Sequence, residues 1–423
     1  MKLSELRQST ASEILDLFGA DESKISLAEE LVKKGLPSKK SEEYRYADIE
    51  SALSLELEFL KQSMDDIEPC DKLIITDGVV THAPESVSVR YTSAIDRDMK
   101  HFDPLYYLGH IASEFVLALE PRGDESLKIV HRLTKIKTLI AYRVALFIAP
   151  NTQVNIYESF DDCSADGSLV LCGYDAFVDR DATLKLIKNQ TLDSQNYRMI
   201  ASHRFKIEKS ATIDLATFDF GSASSLQTMK VELGERAHLE ASHLLYASGS
   251  AKRGTVSKIL HIGEHSTSNQ QAKSILADKA RGIFDALIKV EHSAKYTKAH
   301  QGSKAILLEM GPYMASKPQL EIYIDELEAS HGSTTGQLDS KQLFYLRSRG
   351  ISEVEAKKML IQAFANELID KVAGRSIQEQ LHISFDKAFY GEARMECIDT
   401  CDGCEDALVG DTEEINRLFG FSQ

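Results

Sequence analysis

The amino-acid sequence predicts a mainly β protein, a long coil-stacked β region set between two helical ones. Three observations carry this. Apolar residues follow a helical period up to about residue 65, a period of two from about 128 to 335, and a helical period again from 340. Within the middle region one strand phrase returns: NTQVNIYE at 151, DATLKLIK at 181, SATIDLAT at 210 and RAHLEASH at 236. Its central apolar residues, Val154, Leu184, Ile213 and Leu239, stand 30, 29 and 26 positions apart. Finally, 43% apolar and 27% charged residues over 423 positions supply ample core material. A near-fixed strand period of this length marks a solenoid or β-helix, in which each coil stacks on the last. A large β-sandwich is the alternative. The chain divides into a helical and mixed region at 1–127, a β core at 128–338, and a helical region with a tail at 339–423.

The elements follow in order. Leu3, Leu6, Ile14, Leu15, Leu17 and Phe18 recur at roughly helical spacing. Ser26 with Glu29 reads as a capping box opening the helix SLAEELVKKG, which Gly35 closes and Pro37 stops. KLIITDGVV reads as a short strand and turn. HFDPLYYLGHIASEFVLALE reads as one helix around and after Pro104, with Phe102, Leu105, Leu108, Ile111, Phe115 and Leu119 on its apolar face. From 128 onward the runs are alternating or continuously apolar, as strands require. Asp339 and Gln342 then cap SKQLFYLRSR, which Gly350 ends. Ser352 and Glu355 open an amphipathic helix carrying Val354, Met359, Leu360, Ala363, Phe364, Leu368 and Val372. SIQEQLHISFDKAFYG follows as a last helix.

Charge narrows the function. A net charge of -16 and a pI of about 5.3 argue against nucleic acid and against anionic membranes, both of which need a basic surface. The opening MKLSELRQSTASEILDLF has no continuous apolar stretch of the signal-peptide kind. TLIAYRVALFIAP (138–150) is too short to cross a bilayer. A cytoplasmic protein without stable membrane insertion is expected. Six cysteines in a chain of this length do not suggest a disulfide framework.

The usual catalytic motifs are missing from the sequence: GxxxxGK[ST], HExxH, GxSxG, and GxGxxG after a strand. No nucleotide is expected to bind this chain. Asp161/Asp162 and Asp214/Asp219 are acid pairs of the type a glycosidase or lyase uses. His238, His243, His261, His265, His292 and His300 lack partners at firm metal-ligand spacing. Cys397, Cys401 and Cys404 form C-x3-C-x2-C, three soft thiolates suited to part of an iron–sulfur or zinc site. Their acidic neighbours Glu396, Asp399, Asp402, Glu405 and Asp406 would raise the thiol pKa values. His331 lies in ELEASHGSTTGQLDS, a Ser/Gly/Thr run before a helix. It is read as a surface-loop residue, either a turn or a ligand.

Four blocks then set a wider context: Pro318-Gln319-Leu320-Glu321-Ile322, Ser330-His331-Gly332-Ser333-Thr334, Leu343-Phe344-Tyr345-Leu346, and Ser348-Arg349-Gly350-Ile351. With their spacing, the segment 282–367 resembles the SufB/SufD family of iron–sulfur cluster assembly proteins. SufB-like members carry a cysteine where this chain has Ser303, and a glutamate where it has Gly332. Both departures point to the SufD-like branch, as does the opening phrase GLPSKKSEEYRYADI (35–49). SufD-like chains often carry a cysteine at the position of Ala329, so a thiol role there is excluded. The resemblance implies a right-handed parallel β-helix with helical flanks and a non-enzymatic scaffold. It implies a SufB-like partner held through the β-helix and a separate SufC-like ATPase held through the C-terminal helices. Arg347, Arg349 and Gln362 are polar candidates for that second contact. It also implies that His331 lies at the SufB-facing interface and helps build a nascent cluster shared with the partner. Three further readings stay open: an iron or iron–sulfur carrier using the tail cysteines, a β-helix carbohydrate-active enzyme, and a homodimer when the chain is alone.

Overall fold

The computed structural model describes residues 2–38, 41–47, 49–60, 62, 66–93, 95, 98–161, 164–192 and 197–390. In a strand, alternate side chains face one side. Leu184 with Leu186, Ile213 with Leu215, and Leu239 with Ala241 therefore point the same way, and all are exposed by 3% or less. One coil cannot bury such a face alone, so coils stack. Parallel pairing sets Val154 beside Leu184, Leu184 beside Ile213, and Ile213 beside Leu239. The four centres of the repeated phrase are direct neighbours in one column. That column runs on through Ser268, Ala299 and Ala329.

Successive strands alternate between two sheets. The first sheet orders Val87–Thr92, Val116–Pro121, Arg143–Ile148, Tyr174–Val178, Arg198–Ile207, Ser224–Leu233, Lys252–His261, Arg281–Val290 and Tyr313–Ile322. The second orders Glu125–Arg132, Gln153–Phe160, Thr183–Leu192, Thr212–Gly221, His238–Ala247, Thr267–Leu276, Thr297–Leu307 and Leu327–Gly336. Apart from short antiparallel pairs at the N-terminal end, pairing is parallel. This is a parallel β-helix, and the β-sandwich reading falls. KLIITDGVV forms a strand, a turn and a second strand, Leu73–Thr76 and Val79–Ala83, added to the second sheet.

The corners explain the first letters of the phrase. Asn151, Asp181, Ser210, Arg236, His265 and Tyr296 each take a left-handed backbone, φ between 54° and 58°, just before a strand of the second sheet. That conformation costs a residue with a Cβ roughly 1–2 kcal/mol. Here each corner N–H donates to a carbonyl at the next coil's corner, Arg180, Lys209, Glu235, Glu264, Lys295 and Glu326, at 2.7–3.1 Å. The corner ladder offsets the strain. Ala182, Ala211, Ala237 and Ser266 follow and are buried at the bend.

Helices cover the outer faces. α1 (Ala11–Phe18), α2 (Ile25–Lys34), α3 (Ile49–Leu53) and α4 (Pro104–Ala112) lie on the first sheet, where Leu31, Leu53, Leu105 and Leu108 cluster with Leu171, Ile200, Leu226, Val256 and Ile283. α5 (Ser340–Ser348), α6 (Glu353–Ile369) and α7 (Arg375–Tyr390) follow the last strand. Ile361, Leu368, Leu381 and Phe385 pack on Phe218, Phe220, Leu244, Tyr246 and Ile275 of the second sheet. Tyr313–Ile322 and Leu327–Gly336 remain as the two sheets' edges.

Two sequence expectations need correction. Ser26 does not cap α2: the N-cap is Lys24, no side chain accepts there, and a 3-10 turn, Glu22–Lys24, runs straight into the helix. The capping box belongs to α1, where the Thr10 hydroxyl accepts from the Glu13 N–H at 3.3 Å and the Glu13 carboxylate accepts from the Thr10 N–H at 2.8 Å. The helix expected through Leu119 ends at Ala112, and Val116–Pro121 pairs on both sides within the first sheet. Phe115 and Leu119 continued the four-residue spacing by coincidence. Among the described residues no helix is long and apolar enough to cross a membrane.

Candidate functional site

His331 is not on a loop. It sits inside the strand Leu327–Gly336, the edge of the second sheet, which among the described residues pairs on one side only. Its register partner is Gln301, and the column behind it reads Gln270, Ala241, Leu215 and Leu186. Register neighbours in a parallel ladder share a face, and this face is the inner one, since Gln301 is 4% exposed and Gln270 is fully buried. The adjoining inner column reads Lys188, Thr217, His243, Ala272, Ser303 and Ser333. The column behind His331 thus turns from apolar to polar toward the last coil, where the ring is exposed, while the adjoining one is mostly polar throughout.

The opposite edge strand completes the site. The Ser333 hydroxyl meets the Ser316 hydroxyl at 2.8 Å, and the Gln301 side-chain N–H donates to the Gln319 carbonyl at 2.9 Å. Ser316 and Ser333, apart in sequence, thus meet across the last coil. Pro318 is tolerated because an edge strand has ladder donors to spare. Ser303 is buried one coil behind, Ala329 packs partly against the core, and Gly332 opens onto free space. The pairing of Gln301 with Gln319 was not legible in the sequence. Its only signal is a polar residue at an inward position of an alternating run.

Deeper inside, charges are paired. Glu158 meets His131 Nε2 at 3.0 Å and Lys188 Nζ at 3.4 Å. Burial pushes the Glu158 carboxyl up, but Lys188 and His131 outweigh it and hold the group below the usual range. For Asp219, burial dominates and raises the pKa despite its contact with Arg253. Burial takes His243 down to about 4. Between α4 and the first sheet, Asp175 accepts from Arg143 at 2.9 Å and from the Tyr106 hydroxyl at 2.5 Å, and it lies 3.0 Å from His110. Burial takes His110 to about 4, against the pull of Asp175.

Among the described residues the other candidates do not assemble a centre. Asp214 and Asp219 lie five apart on one strand, hence on opposite faces, and form no paired-acid site. Asp162 is outside the described residues. Both His261 ring nitrogens are taken, at 2.8 Å, by Ser266 and Ser268. His238 meets Thr267, His300 meets Ser330, His265 stacks on Tyr296, and His292 lies against Tyr323. Among the described residues no group of three His, Cys, Asp or Glu can hold a metal ion. Cys397, Cys401 and Cys404 fall outside the described residues. On α5 and α6, Arg347 pairs with Glu353, Arg349 with Tyr345, and Gln362 with Asp386.

The architecture is thus a parallel β-helix with helical flanks whose last coil carries an exposed histidine on an edge strand. The family described as "SUF system FeS cluster assembly, SufBD core domain" matches residues 131–364, more than half of the chain. The chain belongs to this SufB/SufD family, on its SufD-like side, and has a role in iron–sulfur cluster assembly. It is 25% identical over 391 residues to the iron–sulfur cluster assembly protein SufD of Escherichia coli strain K12, covering 86% of this chain and 92% of that protein. It is 28% identical over 255 residues to a SufBD family protein of Synechocystis, covering 57% and 55% of the two chains. A Mycobacterium leprae SufBD family protein is 32% identical over 219 residues, covering 51% and 50%.

Proposed function

We propose that this chain is the non-catalytic, SufD-like scaffold subunit of a cytoplasmic complex with a SufB-like subunit and a SufC-like ATPase. The observation that carries the reading is His331 on an edge strand whose outer side pairs with no other strand among the described residues. An edge offers a row of unused backbone donors and acceptors that another chain can cover. Here that row passes beside an exposed imidazole, a borderline ligand suited to iron. The nascent cluster is cargo shared across the interface, with the remaining ligands supplied by the SufB-like chain. Without that partner, a second copy of this chain covers the same edge.

The SufC-like subunit docks on the C-terminal helices. Phe344 in the middle of α5 and Val354 at the start of α6, 74% and 64% exposed, give that contact an apolar centre. Nucleotide binding belongs to the ATPase. Co-expression of the full chain with its cognate SufB-like and SufC-like chains tests the reading. A ternary complex is expected, and a Phe344→Ala/Val354→Ala variant is expected to lose the ATPase but keep the SufB-like chain. Failure of the unaltered chain to join either partner contradicts the assignment.

A further inference from the structure

Gln301 lies directly behind His331. The two are register partners on neighbouring strands about 4.8 Å apart, with side chains on the same inner face. Gln301 is held in one orientation. Its amide sits against the Gln319 backbone carbonyl at 2.9 Å, and a carbonyl only accepts, so the group facing it is the NH2. The side-chain oxygen therefore points elsewhere. It is buried and has no hydrogen-bond partner among the described residues. Buried acceptors are rarely left in that state.

The neighbouring donors are few. The Gln270 amide, one coil behind, is engaged with Ser257 and His243. The Ser303 hydroxyl, two positions along the strand from Gln301, is the other unpartnered group nearby. His331 is exposed and has no hydrogen bond among the described residues. A neutral imidazole has one N–H to give and one lone pair to keep.

We infer that Gln301 is a positioning residue for His331: its side-chain carbonyl takes the ring N–H and so fixes which nitrogen is left as the ligand. The inference rests on the reading of His331 as a cluster ligand. A metal-binding histidine usually donates its second ring N–H to a carbonyl or carboxylate, which sets tautomer and ring orientation and makes the free nitrogen more basic. An amide suits this position better than a carboxylate. A carboxylate would favour the imidazolium, which has no lone pair to offer.

The test reads the tautomer, not cluster assembly. The full chain is labelled with 15N-histidine and its ring nitrogens are observed at pH 8, with the His331 signals identified by their loss in His331→Ala. One dominant tautomer is expected in the unaltered chain and in Ser303→Ala. In Gln301→Met, which keeps the volume and removes the acceptor, the ring is expected to relax to the mixture of free histidine. A free-histidine mixture in the unaltered chain overturns the inference, as does an unchanged tautomer in Gln301→Met or a shift in Ser303→Ala. Should Gln301→Met fail to fold, the other two spectra decide. The tautomer can be fixed while His331→Ala complexes still load cluster, which would sink the ligand reading alone.

Discussion

Glu158 holds His131 and Lys188 inside the β-helix, away from water. Removing one member of a buried ionic group leaves charge unmatched. Lys188→Met is therefore predicted to cost about 3–5 kcal/mol in urea unfolding; a loss below about 1 kcal/mol would contradict the pairing. The buried histidines set the response to acid. His110, His243 and His261 are each lowered to about 4. Unfolding exposes them to water, where an ordinary histidine titrates near 6.5. Between those values the unfolded chain binds protons that the folded chain refuses, so stability falls as pH falls. Glu158, depressed when folded, adds a further loss below the ordinary carboxylate range. Urea midpoints should decline steadily from about pH 6.5 to 4.5, and a level profile would refute this. Cys172 is buried, with its thiol pushed up to about 11 by burial. Peptide mapping after alkylation at pH 8 should find it unmodified until the protein unfolds, while half-buried Cys70 reacts. The sequence showed His331 as a ligand candidate. Its inward register on an edge strand was hidden, because Ser, Gly and Thr around it spell a loop as readily as a strand.

At the scale of elements, the two capping boxes separate local grammar from context. Thr10 and Glu13 cap α1 reciprocally, whereas Ser26 and Glu29 carry the same letters inside a helix already begun. Thr10→Ala should cost about 1 kcal/mol and Ser26→Ala almost nothing, measured by chemical denaturation. Equal losses would contradict the assignment. The strands were legible because a two-residue period persists under any cover. The region 102–119 was not, because a helix and a strand sharing apolar residues can imitate one helical stripe. α7 depends on Phe385, whose ring packs edge-on to Phe220 at 5.5 Å and near Tyr246 at 6.1 Å. Phe385→Ala should cost about 3–5 kcal/mol or release α7 locally. Hydrogen exchange that rises in α7 but not in the central strands marks the second outcome.

Over the whole molecule, stacking is what the repeated phrase encodes. Its period gave the coil, and its first two residues gave the corner. Which sheet face each helical region covers was not legible, since amphipathic helices state only that one side is buried. The covers decide where the protein can be approached: helices lie over the central coils, and among the described residues no further strand pairs with the outer side of either last-coil strand. The measurement that tests the central claim most directly is the iron and labile sulfide content of the complex with the SufB-like and SufC-like chains. It is purified without oxygen, with unaltered chain beside His331→Ala. The edge-and-ligand account predicts that both complexes form and that the alanine complex carries no cluster. Equal cluster content in the two would show that His331 is an ordinary edge residue, leaving this chain's contribution architectural.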